Sequence, residues 1–269
     1  MANITESITA MKNSRKIVTF LLVLALLGSL GYMGMYLYNT HHADKKYEEL
    51  KEEVKAESES EDVSAEEVEP EPEKEPVEIP IDFKKLWKEN EDIYAWITIP
   101  GTLVDYPIVQ HPEDDLYYLD HTVEGVQGLP GSIYTESLNT RDFTDKNTVI
   151  YGHNMKNDTM FGSLHDFEDG TFFDEHHEMT IYTPEHILNY EIFAVLTYSD
   201  AHILFAYDFE DAAEYEAFLE SVYSARGMKN HFREDVEVTA EDRIVTLSTC
   251  IGGQPNNRLL VLCVLREEL

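Results

Sequence analysis

Arg243-Ile244-Val245-Thr246-Leu247-Ser248-Thr249-Cys250 reads as a buried β-strand that ends on a cysteine. Its apolar, β-branched composition is that of a strand covered by protein. A cysteine at the mouth of such a strand is held on a rigid element and faces whatever lies beyond the strand end. After seven intervening residues comes Arg258, which opens a second apolar run, Leu259-Leu260-Val261-Leu262-Cys263-Val264-Leu265. Far upstream, Asn147-Thr148-Val149-Ile150-Tyr151-Gly152-His153 carries a histidine past the end of a third. A thiol, an imidazole and a guanidinium, each at a strand edge, fit a site built around a cysteine nucleophile.

Further short strand-like runs surround these three. They cover residues 95–99, 104–109, 132–134, 179–182 and 189–196, separated by glycine, proline and other turn residues. About eight short strands with this punctuation predict an all-β sandwich or barrel. Two helices break the pattern. Asp82 is placed to cap a short amphipathic helix over 83–90. Asp208 is placed to cap a longer one over 208–226, with Ala212, Tyr215, Leu219 and Val222 on one face and Gly227 past its end. The longer helix is expected to cover an open barrel edge, to wall a substrate groove, or both.

The N-terminus is of another kind. Residues 1–16 are polar, with Lys12, Arg15 and Lys16 leading into residues 17–38, which carry no charge. At about 1.5 Å per residue this run reaches about 33 Å, enough to cross a bilayer core. The basic residues before it and the acidic stretch after it favour an uncleaved signal anchor with its N-terminus inside and the bulk of the chain outside. Residues 39–80 are dominated by Glu and end in Glu69-Pro70-Glu71-Pro72-Glu73. They are expected to form an extended acidic stem, with helix continuing from the span over 47–55, and a folded domain is expected over 81–269.

The formal net charge of −33 argues against nucleic acid as a partner, which needs a basic face. The same charge argues against electrostatic attraction to anionic lipid, so the span at 17–38 carries the membrane contact. No metal or other cofactor is expected. Glu175-His176-His177-Glu178 is a run of adjacent residues that diverge on any regular element, and His41-His42 is an adjacent pair at the exit of the apolar run. Cys263, in the middle of an apolar run, reads as a core residue. His111, His121, His165, His186, His202 and His231 read as surface or packing residues.

With His153, Cys250 and Arg258 in that order behind a signal anchor, the chain resembles the sortases of Gram-positive bacteria, and most nearly their class B. The resemblance covers about residues 81–266. It rests on Asp92-Ile93-Tyr94-Ala95-Trp96-Ile97, on residues 145–155 around Tyr151-Gly152-His153-Asn154-Met155, on Met160-Phe161-Gly162-Ser163-Leu164, on Thr246 to Cys250, and on the helix inserted before the cysteine strand. It implies a closed, mostly antiparallel eight-stranded barrel. It also implies a cysteine transpeptidase in which Cys250 is the nucleophile, His153 the acid/base, and Arg258 the donor to the oxyanion. Ser248, Thr249 and Asn139 fall at or near substrate-binding positions. The implied reaction is amide exchange at a Thr-Gly-type bond of a C-terminal sorting signal. Its substrates would be surface proteins or pilins, and its acceptor a peptidoglycan-precursor amine or a lysine amine. The departure from the family pattern is the short, Gly-rich turn over 251–257.

Two other classes fit less well. A papain-like hydrolase places its cysteine before its histidine. A non-enzymatic extracellular binding domain would use Cys250 and Cys263 as a disulfide, which an oxidising compartment permits.

Overall fold

The computed structural model describes residues 2–56 and 78–269, with side chains over 15–54 and from 78 onward. Residues 1–43 and 44–269 form two compact units. The first holds most of helix α1 (Ala2–Ala56), whose apolar stretch over 17–38 is exposed and, by length and composition, able to cross a membrane.

The second unit is a barrel. Helix α2 (Phe83–Glu89) precedes it and is capped as its sequence predicts, Asp82 accepting from the Lys85 amide at 3.0 Å. The strands are β1 (Ile93–Thr98), β2 (Asp105–Val109), β3 (Ile133–Tyr134), β4 (Asn147–Tyr151), β5 (Glu178–Tyr182), β6 (Ile187–Ser199), β7 (His231–Phe232), β8 (Ile244–Ile251) and β9 (Gln254–Glu268). They hydrogen-bond in the order β5-β1-β2-β3-β4-β8-β9-β6, and β5 pairs with β6 to close the ring. Eight strands therefore make the closed barrel and leave no open edge in it. The two-residue β7 hangs on the outside of β6.

Two pairs are parallel, β2 with β3 and β4 with β8. The second of these decides the site. Tyr151 at the end of β4 lies opposite Ser248 of β8. Parallel strands end at the same rim, so two residues further on each chain bring His153 and Cys250 to one place.

Between β5 and β8 the chain also forms helix α4 (Ile203–Ala206) and α5 (Ala212–Ser224), after α3 (Gly170–Glu175) on the far side of β5. The longer helix starts later than its sequence predicts. Asp211, not Asp208, is its cap, accepting from the amides of Ala213 and Glu214. Asp208 instead holds the approach to the helix, its own amide donating to Glu214 Oε2 at 2.7 Å. Tyr215, Phe218, Leu219 and Val222 are buried in one cluster with Phe193 and Leu196 of β6 and Leu260 and Leu262 of β9. Each such side chain contributes about 1.5–3 kcal/mol relative to exposure.

Of the stem expected over 39–80, the helix expected over 47–55 is present as the end of α1. Residues 57–77 lie outside the described residues. Residues 44–56 are the last turns of α1 and belong with the barrel. Tyr47, Leu50 and Val54 are buried, and their spacing puts all three on one helical face. The Tyr47 ring meets Tyr106 of β2 edge-on at 5.3 Å, and its hydroxyl donates to the Gly131 carbonyl at 3.0 Å. Lys46 pairs with Glu89 of α2 at 2.8 Å. Three apolar residues among Glu and Lys suffice because they meet an existing barrel wall rather than build a core.

Candidate active site

Cys250 is the last residue of β8 before its ladder with β9 becomes irregular. It lies directly opposite Arg258, while the next pair is Ile251 with Gln254. The strands are joined by a tight turn at Gly252 and Gly253, the latter with φ of 77°, which suits glycine. The Gly-rich stretch after the cysteine is thus the tip of a hairpin. Directly opposed residues of an antiparallel pair have Cα atoms about 4.5–5.5 Å apart and side chains on one face. The Arg258 guanidinium is tied by Nη1 to the carbonyls of Pro255 and Asn257, at 3.0 and 2.9 Å. Among the described residues, its other N–H groups make no hydrogen bond.

The histidine loop is fastened to the same strand end by three bonds. The Gly152 amide donates to the Ser248 carbonyl, Thr249 Oγ1 donates to the Gly152 carbonyl at 2.8 Å, and Asn154 Nδ2 donates to the Cys250 carbonyl at 3.0 Å. His153 Nε2 lies 2.6 Å from the Leu119 carbonyl. A carbonyl only accepts, so Nε2 carries a hydrogen, and Nδ1 is the nitrogen free to exchange a proton. The Leu119 loop is brought close by Gly131, whose φ is 67°. A Cβ there would stand 2.7 Å from the Leu119 carbonyl oxygen and 3.1 Å from the His153 ring.

His153, Cys250 and Arg258 line one cavity of about 240 Å³, together with Ser248 and Thr249. Asn139 lines a different cavity, with Asp145 and Asn147. Asn139 is buried, donates to the Asn147 carbonyl and to Asp145, and accepts from the Val149 amide. Its side-chain amide serves the turn into β4. Ser248 and Thr249 do line the cavity, but Thr249 spends its hydroxyl on the Gly152 carbonyl.

The two thiols differ. Cys250 is exposed and Cys263 is buried, both unbridged. Cys263 pairs with Val245, five residues along β8 from Cys250, or about 17 Å at strand rise. A disulfide between them is out of reach, which removes the bridged binding domain. Burial alone pushes the Cys263 thiol well up. Native protein is expected to take up iodoacetamide on Cys250 and to expose Cys263 to it only on unfolding, as peptide mass mapping would read. Labelling of Cys263 in the native protein would contradict its burial.

Four residues given no site role by the sequence also stand here. Tyr134 and Tyr151 line the cavity with rings stacked at 5.4 Å, and burial pushes both phenols up, so they stay neutral. His202 lines it too, with Nε2 2.6 Å from Glu136 Oε2. Burial raises the Glu136 carboxyl above the usual carboxylate range, while His202 pulls it down. His202→Ala removes that pull and the 2.6 Å contact with Glu136 Oε2, so thermal melts should show the variant less stable than wild type by about 1–3 kcal/mol, the usual worth of such a hydrogen bond. An unchanged Tm would show that the pair is energetically silent.

A closed eight-stranded barrel with cysteine, histidine and arginine on one rim has the architecture of a thiol acyltransferase. A sortase-domain family model matches residues 97–266. Sortase B of Listeria monocytogenes serovar 1/2a (strain ATCC BAA-679 / EGD-e) is 37% identical over 171 residues, 63% of this chain and 67% of the relative. Among solved structures, Clostridium perfringens sortase B superposes with a TM-score of 0.62 at 31% identity, covering 69% of this chain and all of that one. A Streptococcus pyogenes class B sortase involved in pilus biogenesis gives 0.58 at 33% identity, covering 68% and 97%. The chain belongs to the sortase family of cysteine transpeptidases, in its class B. The expected barrel, its two helices and its class are borne out, with the parallel pairs β2–β3 and β4–β8 as the detail that the strand patterns do not reveal.

Proposed function

We propose that this transpeptidase works outside the cell on a membrane anchor formed by residues 17–38, and that it cleaves C-terminal sorting signals at a Thr-Gly-type bond. The Cys250 thiolate attacks the threonine carbonyl, and the negative charge on its oxygen is met by Arg258. The C–N bond breaks, His153 gives its proton to the leaving amine, and a thioester on Cys250 remains. An incoming amine attacks the thioester, His153 takes up its proton, and the sulfur leaves as thiolate. The observation that supports these roles is the register that puts Arg258 opposite Cys250 and Tyr151-Gly152-His153 beside the same strand end. The acceptor we favour is an amine of a peptidoglycan precursor. A lysine amine of a pilin is the second reading, favoured by the likeness to the pilus-associated streptococcal enzyme.

Intact mass of the full chain in detergent, after incubation with a panel of peptides containing Thr-Gly bonds, tests the reading. An acyl adduct on wild type and none on Cys250→Ala is expected. Adding a stem-peptide amine or a lysine-bearing pilin peptide then identifies the acceptor by which one discharges the adduct. An adduct that persists on Cys250→Ala overturns the assignment of the nucleophile.

A further inference from the structure

One backbone carbonyl joins the three parts of the site. The carbonyl of Cys250 sits where the β8–β9 ladder loses its regular register, between the Cys250–Arg258 pair and the Ile251–Gln254 pair. Irregularities of this kind re-aim a side chain and bend the strand, and they need to be held. Here two side chains hold it. Asn154 Nδ2 donates at 3.0 Å, and His165 Nε2 stands at 3.1 Å from the same oxygen. The two side chains are also 2.9 Å from one another. A carbonyl has two lone pairs and can accept both.

His165 comes from a 3₁₀ turn, Gly162–Glu168, where residues three apart eclipse. Its Nδ1 accordingly faces Glu168 Oε2 at 3.5 Å, and that carboxylate oxygen also takes Lys229 Nζ at 2.7 Å. The neighbouring charges are Asp166 on its own turn, Lys229 behind Glu168, and His231, whose ring meets the Glu168 carbonyl. From the strand side it meets Cys250, and from the histidine loop Asn154, next to His153. A carboxylate opposite Nδ1 favours a hydrogen there. The protonated ring then has a second hydrogen, on Nε2, for the Cys250 carbonyl. The neutral ring has none, and its Nε2 accepts from Asn154 instead.

We propose that His165 is a positioning residue of the transpeptidase, holding the backbone of the nucleophile so that Cys250 and the returning Arg258 face the cavity together. The proposal rests on Cys250 being the nucleophile. Its contact is with the carbonyl of Cys250 and not with reacting atoms, so it acts through the direction of the thiol. It is distinct from His153, which stands on the other side of Asn154 and is tied to Leu119. Because the ring donates only when protonated, the support it gives Cys250 depends on pH, whereas a glutamine amide in its place would donate at every pH.

The test is the rate of Cys250 alkylation by iodoacetamide in the full chain in detergent, for wild type, His165→Ala and His165→Gln across pH. His165→Ala is expected to react about five-fold more slowly, the rate equivalent of one hydrogen bond. His165→Gln should recover most of the rate, and the ratio of wild type to His165→Gln should fall as pH rises. Thermal melts accompany each variant. If His165→Ala does not fold, the ratio with His165→Gln decides alone. Alkylation unchanged in His165→Ala, or a ratio that is flat with pH, overturns the proposal and leaves His165 a packing residue. A peptide adduct surviving on Cys250→Ala would instead overturn the nucleophile beneath it, and the two failures are read in separate experiments.

Discussion

Arg258→Ala is expected to slow acylation of Cys250 by about 10²–10³-fold, the usual loss on removing one oxyanion donor, and Cys250→Ala to abolish it. The size follows from preorganisation. Arg258 is directly opposite Cys250 across an antiparallel pair, and two carbonyls of its own turn pin Nη1. The guanidinium is therefore in place before substrate arrives, and no reorganisation is needed when charge develops on the carbonyl oxygen. An interaction made mainly in the transition state lowers kcat and kcat/KM together and leaves KM nearly unchanged. Arg258→Lys keeps the charge and loses the planar fork, so it should recover only part of the rate. Single-turnover acylation with the peptide that forms the adduct separates the terms. A rise in KM with kcat intact would assign Arg258 to ground-state binding of the sorting signal.

The strands, the meeting of Cys250, His153 and Arg258 at one rim, and the two barrel helices were legible because each is written locally. β-branched runs end in turn residues, and the chemical residues sit where those runs stop. Closure of the barrel and its parallel pairs are not local, and no run of residues carries the register of β4 against β8. Only that register turns a histidine and a cysteine nearly a hundred positions apart into neighbours. The supporting residues were illegible for the same reason. His165 and His202 look like any isolated polar histidine, and each takes its role from a partner far off in sequence, the Cys250 carbonyl and Glu136. Asn139 shows the other side of this. It precedes a strand of the site, but its amide is consumed by the turn into that strand.

A fragment beginning at residue 81 is expected to be much less stable than one beginning at residue 44. By composition the first looks like the natural soluble domain, since an acidic, proline-bearing stretch runs up to it. In the fold, Tyr47, Leu50 and Val54 are buried against the barrel wall. Truncating one such side chain costs about 2–5 kcal/mol, and neighbours do not add fully, so losing the whole face should cost about 5 kcal/mol or more. For a domain of this size that is about 10–20 °C in Tm. The loss should also reach the site. Tyr47 donates to the Gly131 carbonyl, and Gly131 packs against Leu119, whose carbonyl holds the His153 ring. The shorter fragment should thus acylate more slowly even well below its Tm. Point variants in the longer fragment divide the effect. Tyr47→Phe removes one hydrogen bond at about 1 kcal/mol, and Tyr47→Ala removes the ring as well at about 3–5 kcal/mol. If both fragments melt at the same temperature and acylate at the same rate, residues 44–56 are a passive tether. If the shorter one alone is crippled, the helix that leaves the apolar span is part of the catalytic domain, and the spacer proper begins only after Ala56.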